Sequence, residues 1–146
     1  MHWLQQRGHP CLGVDRDPAA LQAAAAFGEV LAADLENMPW PLEGQRFGGI
    51  VVTNYLWRSL WPDLLQCLQP GGVLIYETFA VGNEAYGRPS NPDFLLRSGE
   101  LFDRCIAGGL RVLAFEDGVA VSGRKARVQR VLAVEPSADL ESFAIE

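Results

Sequence analysis

Basic residues are scarce in this chain: 12 Lys and Arg stand against 18 Asp and Glu, for a net charge of −6. Phosphate binding needs clustered Lys and Arg, so this balance argues against a nucleic-acid partner. The densest basic group, Arg124-Lys125-Ala126-Arg127 with Arg130, reads as a solvated hairpin turn between two strands. Cysteine is scarce as well. Cys11, Cys67 and Cys105 are widely spaced, odd in number and set among apolar residues, which excludes a disulfide framework. With no CxxC or Cys/His spacing, no metal site is expected, and the reading is of buried thiols in a reducing cytoplasm. His2 and His9 have no ligand partners near them in the sequence. No apolar run approaches the ~20 residues of a membrane span and no signal peptide is recognisable, so a soluble protein with no membrane partner is expected. The alanine-rich stretch from Leu21 to Phe27 is too short and is flanked by acids. No internal repeat is present.

What remains is an ordinary globular balance, 49% hydrophobic and 21% charged over 146 residues, enough for one domain with a real core. Trp3 to Gly8 reads as a helix end, with Gly8 as its stop. Cys11 to Val14 is a short apolar strand that leads into Asp15. Asp17 and Pro18 supply an N-cap and a first helical residue for a helix running through Leu21, Ala24 and Ala25 to Gly28. Glu29 to Ala33 reads as a second strand ending at Asp34, and Met38 to Gly44 as a proline-broken loop. Phe47 to Thr53 is a continuous apolar run, the pattern of a strand covered on both faces by helices.

Leu60 to Leu68 suggests a short helix with Pro62 in its first turn. Pro70-Gly71-Gly72 suggests a turn, and Val73 to Thr78 a further buried strand. Ala80 to Pro92 is a long loop rich in Gly, Asn and Pro, of the kind that carries function beyond a strand end. A helix opening at Asn91-Pro92 or Ser98 stops at Gly108-Gly109. Leu110 to Glu116 and Ala126 to Glu135 are too close for a crossover helix and should pair antiparallel. Pro136 to Glu146 reads as a flexible acidic tail, leaving 1–135 as an α/β domain. Alternating strands and helices imply a doubly wound, mostly parallel sheet closed by an antiparallel C-terminal hairpin, with ligands at the carboxyl ends of the strands. Asp15, Asp34, Asn54 and Thr78 fall at that rim.

The order of motifs resembles the class I S-adenosylmethionine-dependent methyltransferases of small-molecule type. The resemblance rests on Gly13-Val14-Asp15-Arg16-Asp17-Pro18, on Ala32-Ala33-Asp34-Leu35, on Phe47 to Asn54, and on Leu64 to Leu74 with its Pro-Gly-Gly turn. It implies that Asp15 and Arg16 meet the cofactor ribose, that Asp34 and Leu35 meet the adenine, and that Asn54 borders the reaction centre. Tyr55, Tyr86 and Arg88 are the residues it leaves for a small-molecule substrate. It implies no catalytic acid or base, because the methyl group of S-adenosylmethionine is already activated and the protein mainly aligns it. Each of these residues also has a plain structural role open to it: Asp15 and Asp34 as capping or loop acids, Asn54 as a loop-start residue. Trp57 and Trp61, at helical spacing, read as core.

One part of the pattern is missing. A glycine-rich cofactor turn should lie about twenty residues before the strand-end acid, yet only 14 residues precede Asp15. A truncated methyltransferase lacking its first strand is the resulting expectation, with weak or absent cofactor binding by the 146-residue chain. Two other functions remain open: a catalytically inactive binding or assembly module, and a nicotinamide-dependent oxidoreductase, which shares the strand-end acid. Loss of a central strand leaves unpaired edges, so a homodimer is expected.

Overall fold

The computed structural model describes residues 1–143, which fall into two compact units, the first Met1–Glu43 and the second from Gly44 onward. In the first, a short helix α1 (His2–Gln5) ends where Gly8 adopts a left-handed φ of 80°. Strand β1 (Leu12–Asp15) leads to Asp17, whose carboxylate accepts from the Ala19 amide at 2.9 Å. That cap and Pro18 start α2 (Pro18–Ala24), which tightens into a 3-10 turn over Ala25–Phe27. Gly28 turns the chain into β2 (Glu29–Ala32), which pairs parallel with β1 in the register Asp15↔Ala32. A Cβ at Gly28 would sit 2.4 Å from the Cys11 carbonyl oxygen, so only glycine fits there.

The second unit is a four-stranded sheet of order β3-β4-β6-β5. Strand β3 (Phe47–Thr53) pairs parallel with β4 (Leu68–Phe79). After α4 (Glu100–Ala107), strands β5 (Arg111–Ala120) and β6 (Ala126–Val134) form the expected antiparallel hairpin, and β6 also runs antiparallel to β4. Helix α3 (Trp61–Gln66) carries Pro62 in its first turn, as its sequence indicates. The core lies on one face of this sheet. There Leu74, Tyr76, Val131 and Ala133 pack with Leu96, Leu101 and Cys105.

Several expectations need correction. The strands form two hydrogen-bonded sheets rather than one, β1-β2 in the first unit and β3-β4-β6-β5 in the second. The Pro70-Gly71-Gly72 turn lies inside β4 as an irregularity: Phe47 pairs with Leu68 and Gly49 already with Val73, so the intervening residues bulge. Glu135, just past β6, holds that bulge by accepting from the Gly71 amide at 2.8 Å. Of the two starts expected for the next helix, Asn91-Pro92 opens only a 3-10 turn over Pro92–Phe94; α4 begins separately beside Ser98, after Gly99 takes a left-handed φ of 70°, and stops at Gly108 as expected. Finally, the apolar strands are not covered on both faces. Val51 and Ile75, partners across β3 and β4, are 51% and 45% exposed.

Residues 136–143 bear on the acidic tail. The Ala138 amide donates to the Glu135 carbonyl at 2.9 Å, and a 3-10 turn spans Leu140–Phe143. The rest of that segment lies outside the described residues.

Candidate functional site

Within the first unit, β1 and β2 end side by side and bring Asp15 and Asp34 to one rim, because the Ala33 amide donates to the Asp15 carbonyl at 3.0 Å. Asp15 is exposed, and its Oδ1 accepts from the Asp17 amide at 2.9 Å while Oδ2 takes no hydrogen bond among the described residues. Asp34 is more committed. One of its oxygens accepts from the Glu36 amide at 3.0 Å and the other from Asn37 Nδ2 at 2.9 Å. These two hydrogen bonds, the Asn37 side chain first, hold its carboxyl below the usual range. Arg16 reaches back to Glu36 at 3.9 Å, and Leu35 follows Asp34 on the same turn. Both acids therefore also fill the local capping role that their residue type permits.

In the second unit, Asn54 follows β3 with φ of 54°, the only non-glycine residue with positive φ among the described residues. Its amide donates to the Glu77 carbonyl at 2.9 Å, which ties the bend to the carboxyl end of β4. A left-handed asparagine at a strand end is an uncommon conformation of the kind that gathers at binding sites. The carbonyl of Tyr55 accepts from the buried Tyr76 hydroxyl at 2.8 Å, and burial pushes that phenol well above its ordinary value. Trp61 packs on the core with its ring 5.6 Å from that of Tyr76, as its spacing suggests.

The loop after β4 is pinned rather than loose. Buried Asn83 donates to the Pro89 carbonyl at 3.0 Å and accepts from the Arg127 amide at 3.1 Å. Ala80 and Leu96 form a parallel bridge that closes the loop at its base. Arg58 spans the other side: its guanidinium donates to both Glu100 oxygens at 2.7 and 2.8 Å and to the Asp93 and Leu95 carbonyls. Burial would raise the Glu100 carboxyl, but hydrogen bonds from Arg58, the Arg97 amide and Arg104 outweigh it and bring it to about 2. Tyr86 lies under Lys125, with the ammonium 5.0 Å from the ring, and its carbonyl accepts from Arg124 at 3.3 Å. Arg88 is exposed on the same loop.

Sequence reasoning missed what lies at the base of this loop. An open groove of about 330 Å³ has Ala80, Val81 and Leu96 as its apolar lining, with Arg97, Ser98 and Arg127 beside them. Fully buried Gln129 also lines it, donating to the Arg97 carbonyl at 2.6 Å and accepting from the Leu101 amide at 3.0 Å. The available signal was a polar residue, Gln129, at the centre of the apolar run from Ala126 to Val134. No group of acids, cysteines and histidines among the described residues is placed to hold a metal ion. No helix among them is long and apolar enough to cross a membrane.

No protein-family model and no curated protein sequence matches the chain. Solved structures do. TehB from Haemophilus influenzae aligns with a TM-score of 0.70 at 13% identity, over 91% of this chain and 52% of its own length. An S-adenosylmethionine-dependent methyltransferase from Mesorhizobium loti gives a TM-score of 0.69 at 16% identity, over 91% of this chain and 84% of its own. The [4+2]-cyclase SpnF gives 0.59 at 15%, over 87% and 66%. The chain thus spans about half the length of TehB. Its fold is the Rossmann-like fold of the class I S-adenosylmethionine-dependent methyltransferases. SpnF is a reminder that this fold also carries a cyclase, so the reaction has to be argued from the site.

Proposed function

We propose that this protein is an S-adenosylmethionine-dependent methyltransferase acting on a small molecule. The observation that carries the reading is the pair Asp15 and Asp34 at adjacent carboxyl ends of two parallel strands. A ribose diol takes a carboxylate acceptor, and Asp15 Oδ2 is open for it. Asp34 fits less freely: each of its oxygens already accepts one hydrogen bond, and an adenine amino group would use a second lone pair. Arg16 and Leu35 flank the two acids on the same rim, and Asn54 is the third strand-end residue of the cofactor set. When bound, S-adenosylmethionine supplies an activated methyl group; the residues around it bind, orient and exclude water. Tyr55, Tyr86 and Arg88 are assigned to the substrate. The three free cysteines suit a reducing cytoplasm.

The acids hold only the adenosine half. We therefore expect weak binding in calorimetric titration of the 146-residue chain with S-adenosylmethionine, lost in Asp15→Ala. Binding indifferent to Asp15→Ala, or preference for a nicotinamide dinucleotide, would overturn the assignment. A second reading, a non-catalytic binding module, is favoured by the strands forming two separately hydrogen-bonded sheets, β1-β2 and β3-β4-β6-β5. Binding undetectable at millimolar cofactor would support it over the enzyme.

The protein is also proposed to act as a homodimer. Strand β3 pairs on one side only, and the exposed Val51 and Ile75 lie beside that edge. An apolar edge of this kind is a template for another strand, and a second copy is the partner always at hand.

A further inference from the structure

The groove and its basic surround are not used by the cofactor assignment, and they run against the charge of the chain. In a protein of net charge −6, Arg88, Arg97, Arg124 and Lys125 lie on the loop after β4 and the hairpin turn that touches it. None of these four has a carboxylate within 4.0 Å among the described residues. The acids beneath them are already neutralised: Asp117 by Arg127, and Glu100 by Arg58 and Arg104.

Arg97 is the best placed of them. Its amide donates to Glu100 at 3.0 Å and its carbonyl accepts from Gln129 at 2.6 Å, so its backbone is fixed on both sides, while its exposed guanidinium has no carboxylate partner among the described residues. A free guanidinium offers the paired donors that a carboxylate or phosphate takes. Ala80, Val81 and Leu96 make the rest of the lining largely apolar, and the other lining cation, Arg127, is already paired with Asp117. A cleft of this volume lies at the small end of the roughly 300–1,000 Å³ that ligand sites occupy.

We propose that the groove binds a small organic anion: an apolar body on the apolar lining and one carboxylate or phosphate oxyanion at Arg97, with Arg88, Arg124 and Lys125 steering it in. As the substrate class of the enzyme, this rests on the methyltransferase reading; as a binding site it does not. The test is therefore run without cofactor. The full chain is titrated with octanoate, octyl phosphate and octyltrimethylammonium, each below micelle formation. Both anions should bind and the cation should not. Arg97→Ala should weaken anion binding at least tenfold, and Lys125→Ala should weaken it less and more so at low salt. Val81→Trp, at an exposed lining position, should weaken both anions by filling the groove. Equal binding of the cation, no anion binding at millimolar concentration, or binding unaffected by Arg97→Ala would overturn the proposal. Failure here leaves the methyltransferase reading standing, and failure of S-adenosylmethionine to bind leaves this one standing.

Discussion

At the scale of single residues, Asn54 and Glu100 carry the clearest consequences. A left-handed conformation costs an ordinary L-residue roughly 1–2 kcal/mol, less for asparagine and nothing for glycine. Asn54, at φ of 54°, should thus be replaceable by glycine with stability unchanged or raised by up to about 1 kcal/mol in urea unfolding. If its side chain borders the cofactor, the same Asn54→Gly protein should bind S-adenosylmethionine less well; improved stability together with unchanged binding would remove Asn54 from the site. Glu100 is a case of linkage. Its folded carboxyl is depressed from 4.5 to about 2 by its hydrogen bonds, so it binds a proton less readily folded than unfolded. Its stabilisation is fully present above pH 4.5 and is lost as pH falls toward about 2. Glu100→Gln should lower stability at pH 7 and flatten the acid-side loss between those two values, read by thermal melts across pH. The sequence exposed Asp15 and Asn54 as strand-end polar residues. It could not expose Arg58, whose partners Glu100, Asp93 and Leu95 lie about forty residues away.

At the scale of elements, local signals read well wherever chemistry is local. Strand β3 falls on Phe47–Thr53 because that run is β-branched and apolar, and α2 starts at Pro18 because Asp17 caps it. Misreadings arose where long-range contacts decide. The Pro70-Gly71-Gly72 segment joins β4 as a bulge because Glu135, 64 residues on, holds the Gly71 amide. Two-face burial of β3 failed because apolar composition reports what a strand is able to bury, while packing decides what covers it. Helix α4 is the element that seals the covered face, through Leu101 and Cys105, both fully buried. Burial also pushes the Cys105 thiol up to about 12, which leaves it inert to alkylation while the fold is intact. Leu101→Ala should cost about 3 kcal/mol in urea unfolding, the usual range for a fully buried leucine. It should also make Cys105 react with thiol reagents under native conditions, a readout that separates loosening of α4 from general destabilisation.

At the scale of the whole chain, strand order is the strongest statement. Within its own unit each sheet has a definite order: β1 and β2 pair parallel, and in β3-β4-β6-β5 the strand β6 runs antiparallel to both neighbours, the closing hairpin that the sequence implies. What strand order cannot supply is the identity of whatever covers the edge of β3. The proposed homodimer gives a definite answer: two copies bring Val51 and Ile75, 51% and 45% exposed, out of water together. Burying such side chains yields about 25 cal/mol per Å², so a charge placed among them should oppose association strongly. Sedimentation of the chain at micromolar concentration should show a dimer, and Val51→Lys should show a monomer with its circular dichroism spectrum unchanged. Ile75→Lys, on the neighbouring strand of the same face, should act in the same direction. A clean monomer before any substitution would rule out the homodimer, and dimers that persist through both lysines would place the interface on another surface.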